Sequence, residues 1–325
     1  MGTSLIVTIL LFVLGLILVI KGGDYFVDAA TWVADISGIP KFVIGATVVS
    51  MATTLPELLV SVFAAFEGKT DMAIGNAVGS VTANTALIMA ISIICLPAFA
   101  PHRDVGLKSI FLILSIGLLF AFSLDGSFTP LEGVVIMVIF VFSIVESLMQ
   151  GKKATSERKL EELVEVERKE VIINIIKFVG GAAGIVFGAD LMVDYGSELA
   201  RFMGVSEAII GATLVAVGTS LPELVTTITA IVKKESSLSI GNIIGANVID
   251  VTLILPVCAF LTKQDIPVTG QNLYLDIPAC LIVIVVGLVP ILIRQRYNRP
   301  LGAVLLALYG AYLYIMLSGV YMAWF

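Results

Sequence analysis

The chain of 325 residues contains part of itself twice. Shifted by 166 positions without a gap, Gly22–Asn84 falls on Gly188–Asp250 with 21 identities in 63 positions. Gly45–Glu57 (GATVVSMATTLPE) lies on Gly211–Glu223 (GATLVAVGTSLPE), so that Glu57 matches Glu223, Pro56 matches Pro222 and Thr53 matches Thr219. Asp24 and Asp28 match Asp190 and Asp194, Gly75 and Asn76 match Gly241 and Asn242, and Gly79 matches Gly245. The last pair, Asn84 and Asp250, is polar in both copies. Each copy sets a carboxylate in the middle of a segment apolar and long enough to cross a bilayer. Such an acid is expensive and marks function; at corresponding places in two halves of one chain it points to the handling of a cation.

The rest of the chain suits a bilayer. Hydrophobic residues make up 58% and charged residues 14%, with a mean hydropathy of +1.07, the balance of a polytopic membrane protein. A crossing needs about 20 apolar residues to traverse roughly 30 Å of hydrocarbon. Ten stretches qualify: Leu5–Ile20, Phe42–Phe66, Met72–Phe99, Leu107–Leu124, Leu131–Met149, Val171–Val193, Ala208–Val232, Leu238–Leu261, Leu273–Ile293 and Leu301–Val320. Only helices or closed barrels satisfy the backbone in lipid, and unbroken apolar runs without alternation choose helices. The expectation is an all-α membrane protein.

Basic residues orient it. With the N-terminus outside, inward-facing breaks hold sixteen of the nineteen Lys and Arg residues, Arg103 and Lys108 among them, and only Lys69, Arg201 and Lys263 stay outside. The positive-inside rule therefore places both termini outside the cell membrane. Five crossings per half make the second half enter from the opposite side, so the chain reads as two inverted five-helix repeats with the repeated motifs in helices 2–3 and 7–8. Residues 1–150 form the first repeat, 151–170 a cytoplasmic linker and 171–325 the second repeat. The charged break Gln150–Glu170 reads as a solvated linker in preference to an amphipathic helix on the inner membrane face. The N-terminus, MGTSLIVTILL, lacks the basic region and cleavage site of a signal peptide and reads as the first retained helix.

Several function classes drop out. No basic stripe with interleaved aromatics is present, which argues against nucleic acid. Cys95, Cys258 and Cys280 sit singly in apolar runs as packed hydrophobes, without metal or disulfide spacing. His102, the sole histidine, sits with Pro101 and Arg103 in a loop. No cofactor and no enzymatic activity are expected. Oligomeric state is not readable.

In each motif a proline interrupts a helix and releases the carbonyl four residues back, near Ala52, Thr53, Gly218 and Thr219. Freed carbonyls, hydroxyls and a carboxylate make a hard oxygen site, suited to Ca²⁺ or Na⁺ and, in its flexibility, to Ca²⁺ over Mg²⁺. Glu57 and Glu223 together would balance one divalent ion. Without a cation, desolvation disfavours their charged forms, so occupied and protonated states compete. The bland reading, acids that only glue helices together, does not explain duplicated acids with the same neighbours. GNAVGS (Gly75–Ser80) and GNIIGA (Gly241–Ala246) open the next helix of each pair. Their glycines allow close packing, while Asn84 and Asp250 follow Ser80 and Ala246 on the same face.

With GTSLPE at Gly218–Glu223 followed by GNIIGANVID at Gly241–Asp250, and ATTLPE at Ala52–Glu57 followed by GNAVGSVTAN at Gly75–Asn84, the chain resembles the cation/calcium exchanger superfamily. It is most similar to that superfamily's prokaryotic Na⁺/Ca²⁺ exchangers. The resemblance implies an antiporter exchanging Na⁺ for Ca²⁺ by alternating access, with a cluster of ion sites between helices 2, 3, 7 and 8. It implies Glu57 and Glu223 as central Ca²⁺ ligands shared with Na⁺, aided by backbone oxygens of Thr53 and Thr219. Sodium would use hydroxyls of Ser220, Thr219 and Ser80 and carbonyls of Ser50 and Ala216. Asn84 and Asp250 would complete the middle of the cluster, a protonated Asp250 being one state. The first helix of each half would slide across this core. Three positions depart from the pattern: Ala52 for glycine, Thr54 for serine with its hydroxyl kept, and Ala246 for serine.

Ala246 removes a sodium ligand and keeps Ca²⁺/H⁺ exchange open as the alternative, against which the hydroxyls of Thr54, Ser80, Thr219 and Ser220 stand. An intramembrane protease is disfavoured because the acids are glutamates after Leu-Pro. A passive cation channel is separable from an exchanger by its lack of counter-ion dependence.

Overall fold

The computed structural model describes residues 5–66, 68, 70–97, 102–157, 167–203 and 218–319. In chain order the helices are α1 (Leu5–Ser37), α2 (Lys41–Thr53), α3 (Leu55–Phe66), α4 (Ala73–Cys95), α5 (Val105–Asp125), α6 (Pro130–Ser156), α7 (Arg168–Phe202), α8 (Leu221–Val232), α9 (Ser236–Thr262), α10 (Asn272–Arg294) and α11 (Arg299–Ser318). Among the described residues eight of these are long and apolar enough to cross a membrane, and α2 with α3 makes a ninth span bent by 43°. The tenth expected crossing, Ala208–Val232, shows its second half as α8; its first half lies outside the described residues.

The first helix of each half is longer than its apolar stretch. α1 has 33 residues and α7 has 35, about 50 Å at the helical rise, so each outruns the hydrocarbon thickness. The two pack backbone to backbone. A Cβ on Gly15 would lie 2.8 Å from the Gly188 carbonyl oxygen, and one on Gly22 would lie 2.8 Å from that of Gly181. These contacts exchange under the 166-residue shift, since Gly15 maps to Gly181 and Gly22 to Gly188. Small residues at such a crossing let helices associate in lipid, where apolar side chains gain nothing by leaving the solvent.

α9 is the centre of the bundle, buried at every position from Leu238 to Ile249, as a helix apolar on all sides must be. Around it Phe42, Ile74, Val78, Ile88, Leu112, Ile116, Ile243, Val251, Ile284 and Leu305 form one core. Polar contacts tie the connections. Lys41 Nζ meets Glu235 Oε1 at 2.7 Å, Trp32 Nε1 donates to Glu170 Oε1 at 2.8 Å, and Thr155 Oγ1 donates to the Ser37 carbonyl at 3.3 Å. These gather residues 32–41, Thr155, Glu170 and Glu235 at one end. Elsewhere, two short strands, β1 (Ser127–Phe128) and β2 (Ile266–Pro267), pair antiparallel with Phe128 opposite Ile266.

Three polar residues lie where the loop reading did not put them. Helix formation begins at His102, so His102 and Arg103 are helical. Lys108 is 1% exposed, inside α5. It is paired with Glu146 Oε2 at 3.4 Å and bonded to the Ser147 hydroxyl on α6. Hydropathy counts this lysine as a loop charge, whereas its acid lies 38 positions later. Likewise α6 continues as helix to Glu157 and α7 begins at Arg168, while 158–166 lie outside the described residues.

Candidate ion-binding site

α2 carries a π segment, Gly45–Val49, then Ser50–Thr53, and breaks at Thr54. α3 starts at Leu55 with Pro56 and Glu57 in its first turn. Proline is tolerated there because its missing N–H has no intrahelical partner to lose, but it cannot continue the preceding hydrogen-bond ladder. The second copy repeats this. Thr219 and Ser220 form a turn, and α8 opens with Pro222 and Glu223. Leu58 N bonds the Thr54 carbonyl at 3.1 Å, and its equivalent Leu224 N bonds the Ser220 carbonyl at 3.0 Å.

The facing helices change type at equivalent places. α4 passes into a π segment at Asn84 (Asn84–Met89) and α9 does so at Asp250 (Asp250–Ile254). π turns inside α-helices concentrate at functional sites, and here each starts on the polar residue that ends the repeated segment.

Three glycines seat α2 on α9. A Cβ on Gly241 would come within 2.3 Å of the Phe42 carbonyl oxygen, one on Gly45 within 2.4 Å of that of Leu238, and one on Gly245 within 2.6 Å of Ser50 Oγ. Backbone contact this close presses Ser50–Thr54 of one half against Asn242–Asp250 of the other.

The cluster is dry and partly unpaired. Glu57, Glu223 and Asp250 are each 0% exposed and close enough to interact electrostatically. Ser50, Thr53, Thr54, Ser80, Asn84 and Ser220 are also buried, and Thr219 is half-buried. Among the described residues, neither carboxylate oxygen of Glu57 or Asp250 has a hydrogen-bond partner, nor does either amide atom of Asn84, nor Ser220 Oγ. Glu223 is half satisfied: Thr54 Oγ1 donates to Oε1 at 3.3 Å while Oε2 has no partner. Buried polar atoms are normally paired, so this concentration of unpaired oxygens fits a cation. Among the described residues no three His, Cys, Asp or Glu side chains form a metal-holding group by themselves. Hydroxyls, amides and carbonyls must supply the remaining ligands.

Not every expected ligand is free. The Ser50 carbonyl accepts Thr54 Oγ1 at 2.6 Å, Thr53 Oγ1 at 3.3 Å and Thr54 N at 2.9 Å. Ala246 is fully buried and brings no hydroxyl, and Ala216 lies outside the described residues.

Other polar side chains join the cluster without having been singled out as ligands. Asn76 Nδ2 donates to Ser61 Oγ at 2.9 Å and to the Glu57 carbonyl at 3.4 Å; Thr53 Oγ1 donates to Asn242 Oδ1 at 3.2 Å; Asn247 Nδ2 donates to Thr85 Oγ1 at 2.8 Å. The signal for the first two was the repeat itself, which keeps an asparagine at 76 and 242 and a hydroxyl at 61 and 227. A groove of about 640 Å³ between α2 and α6 contains none of the three carboxylates and is lined mainly by apolar residues such as Val43, Val48 and Ile144.

Comparison with known proteins agrees with this geometry. The model of the sodium/calcium exchanger protein family matches residues 7–149 and 173–318. Sodium/calcium exchanger MaX1 of Methanosarcina acetivorans is 30% identical over 348 residues, covering 95% of this chain and 98% of that protein. Inner membrane protein YrbG of Escherichia coli is 34% identical over 79% of this chain and 80% of its own. A solved structure of the sodium-calcium exchanger NCX_Mj, soaked with 10 mM Na⁺ and zero Ca²⁺, superposes with a TM-score of 0.82 at 29% identity, covering 96% of this chain and 99% of that one. The chain therefore belongs to the sodium/calcium exchanger family.

Proposed function

We propose that the protein is a secondary antiporter of the cell membrane that exchanges Na⁺ for Ca²⁺ by alternating access. In this reading ten crossings form two inverted five-helix repeats, 1–150 and 171–325, joined by a cytoplasmic linker, 151–170, with both termini outside. The observation that carries it is Glu57. Its two oxygens are fully buried without a partner, and its equivalent Glu223 enters the same cluster from the other half. The pair balances one Ca²⁺, an ion that takes 6–8 oxygen ligands at about 2.3–2.6 Å in flexible geometry.

Oxygens of Thr53 and Thr219 would complete the calcium sphere, with Asn84 and Asp250 closing the middle. Sodium would take hydroxyls of Ser220, Thr219 and Ser80, with Thr54 serving as its partly retained equivalent in the first repeat. It would also take carbonyls of Ser50 and Ala216. Reaching the Ser50 carbonyl requires the hydroxyls of Thr53 and Thr54 to turn away from it, which would free the single Thr54 proton, now shared between the Ser50 carbonyl at 2.6 Å and Glu223 at 3.3 Å, for the carboxylate. The glycine-packed pair α1 and α7 is the element that would move as a unit over this core.

The test is ⁴⁵Ca²⁺ uptake into proteoliposomes under an imposed Na⁺ gradient. Uptake driven by Na⁺ supports the proposal. Uptake driven only by a pH gradient selects Ca²⁺/H⁺ exchange, the reading that Ala246 favours.

A further inference from the structure

The two repeats match in sequence, yet their polar contacts do not match. In the first half Asn76 Nδ2 rests on Ser61 Oγ at 2.9 Å and on the Glu57 carbonyl at 3.4 Å. In the second half the equivalent pair, Asn242 and Thr227, is apart: both residues are fully buried, and neither Asn242 Nδ2 nor Thr227 Oγ1 has a partner. Asn242 instead reaches across the repeats, its Oδ1 accepting Thr53 Oγ1 at 3.2 Å. The same imbalance recurs one residue on. Thr54 Oγ1 lies 3.3 Å from Glu223 Oε1, while its equivalent Ser220 faces Glu57 without closing a hydrogen bond among the described residues. The bend of the first half is thus hydrogen-bonded to the second half, whereas in return Ser220 only approaches Glu57.

Two unpaired buried groups whose equivalents are paired with each other in the other repeat describe one of two arrangements. In transporters built from inverted repeats, the halves trade conformations when access changes sides. We propose that Asn76 and Asn242 are positioning residues acting as paired latches for that trade. In the arrangement seen here Asn242 holds Thr53, and Asn76 rests on Ser61. In the oppositely open arrangement Asn76 holds Thr219, and Asn242 rests on Thr227. Because Asn76 also touches the carbonyl of Glu57, and Thr53 adjoins the Thr54–Glu223 contact, each latch is mechanically joined to an ion-binding carboxylate. The inference rests on the alternating-access reading above.

Conservative removal of the resting partners gives opposite signs. Ser61→Ala takes away a bond present in this arrangement and shifts the population toward the other; Thr227→Val takes away a bond present only in the other and shifts it back. One hydrogen bond corresponds to roughly a fivefold change in population each way. The full-length protein in nanodiscs is followed by hydrogen–deuterium exchange of Thr53–Glu57 and of Thr219–Glu223, with Ca²⁺, with Na⁺ and with neither.

The expected result is faster exchange in the first segment and slower exchange in the second for Ser61→Ala, and the reverse for Thr227→Val, with both variants folded. Shifts of the same sign in the two variants, or none, while the wild type redistributes protection between the segments with ions, overturn the latches and leave transport standing. No ion-dependent redistribution in the wild type overturns the alternating-access reading and the latches with it.

Discussion

Thr54 of the first half donates its hydroxyl to Glu223 of the second across 3.3 Å, a side-chain bond joining the two proline bends directly. It places a hydroxyl partner of one buried carboxylate in the opposite repeat. Thr54→Val removes the donor and leaves Glu223 Oε1 unpaired. One such bond is worth about 0.5–1.5 kcal/mol, or somewhat more to a charged acceptor. A change of roughly 3- to 10-fold in apparent Ca²⁺ affinity is expected, with Thr54→Ser close to wild type. Ca²⁺-dependent uptake kinetics check this, and equal affinities for the Val and Ser variants would show that the bond does not matter to the site.

Glu57 has a charge to lose and no partner to forfeit. Glu57→Gln is expected to match or exceed the wild type in thermal stability when divalent cations are chelated, because it removes a buried ionisable group. Ca²⁺ should stabilise the wild type, by about 2.7 kcal/mol at 100 times Kd, and leave the variant unchanged. A Ca²⁺-induced rise in Tm that survives in the variant contradicts the assignment.

Gly241 meets the Phe42 carbonyl so closely that a Cβ would stand 2.3 Å from it. Gly241→Ala must push α2 off α9, at a cost of about 1–3 kcal/mol or more, and should displace Thr53 and Thr54 from Asn242 and Glu223. Stability and Ca²⁺ affinity should fall together. Gly117→Ala, at a position where an added Cβ meets nothing within 4 Å, serves as the control and should affect neither.

Buried Lys108 pairs with the partly buried Glu146 between α5 and α6. Lys108→Met removes the cation from the acid, which keeps its bond from Gln150; the loss is expected to stay below the roughly 3–5 kcal/mol of a fully buried pair, whereas replacing both partners by apolar residues is often neutral. Thermal unfolding of Lys108→Met, Glu146→Leu and the double variant is expected to show two destabilised singles and a double near wild type. Additive losses in the double would mean the two residues act separately.

Much of the fold was legible because membrane crossing depends on run length and composition, which are local. The repeat made Glu57 and Glu223 visible as a pair, and the prolines marked the breaks at Thr54 and Ser220. The π turns at Asn84 and Asp250 left no comparable mark, since the same residues fill an α or a π turn equally well. Lys108 misled because its partner is 38 positions away and a charge in isolation reads as solvent-facing. The roles of Asn76 and Asn242 were hidden for another reason: equivalent residues in a repeat predict equivalent contacts, and the molecule holds them in two different ones.

Equilibrium binding of ⁴⁵Ca²⁺ to the purified full-length protein, with and without Na⁺, tests the carboxylate pair most directly. Saturable binding that Na⁺ displaces, and that is lost in both Glu57→Gln and Glu223→Gln while the variants remain folded, is the predicted result. Wild-type binding in either folded variant would contradict a shared site formed by the two repeats.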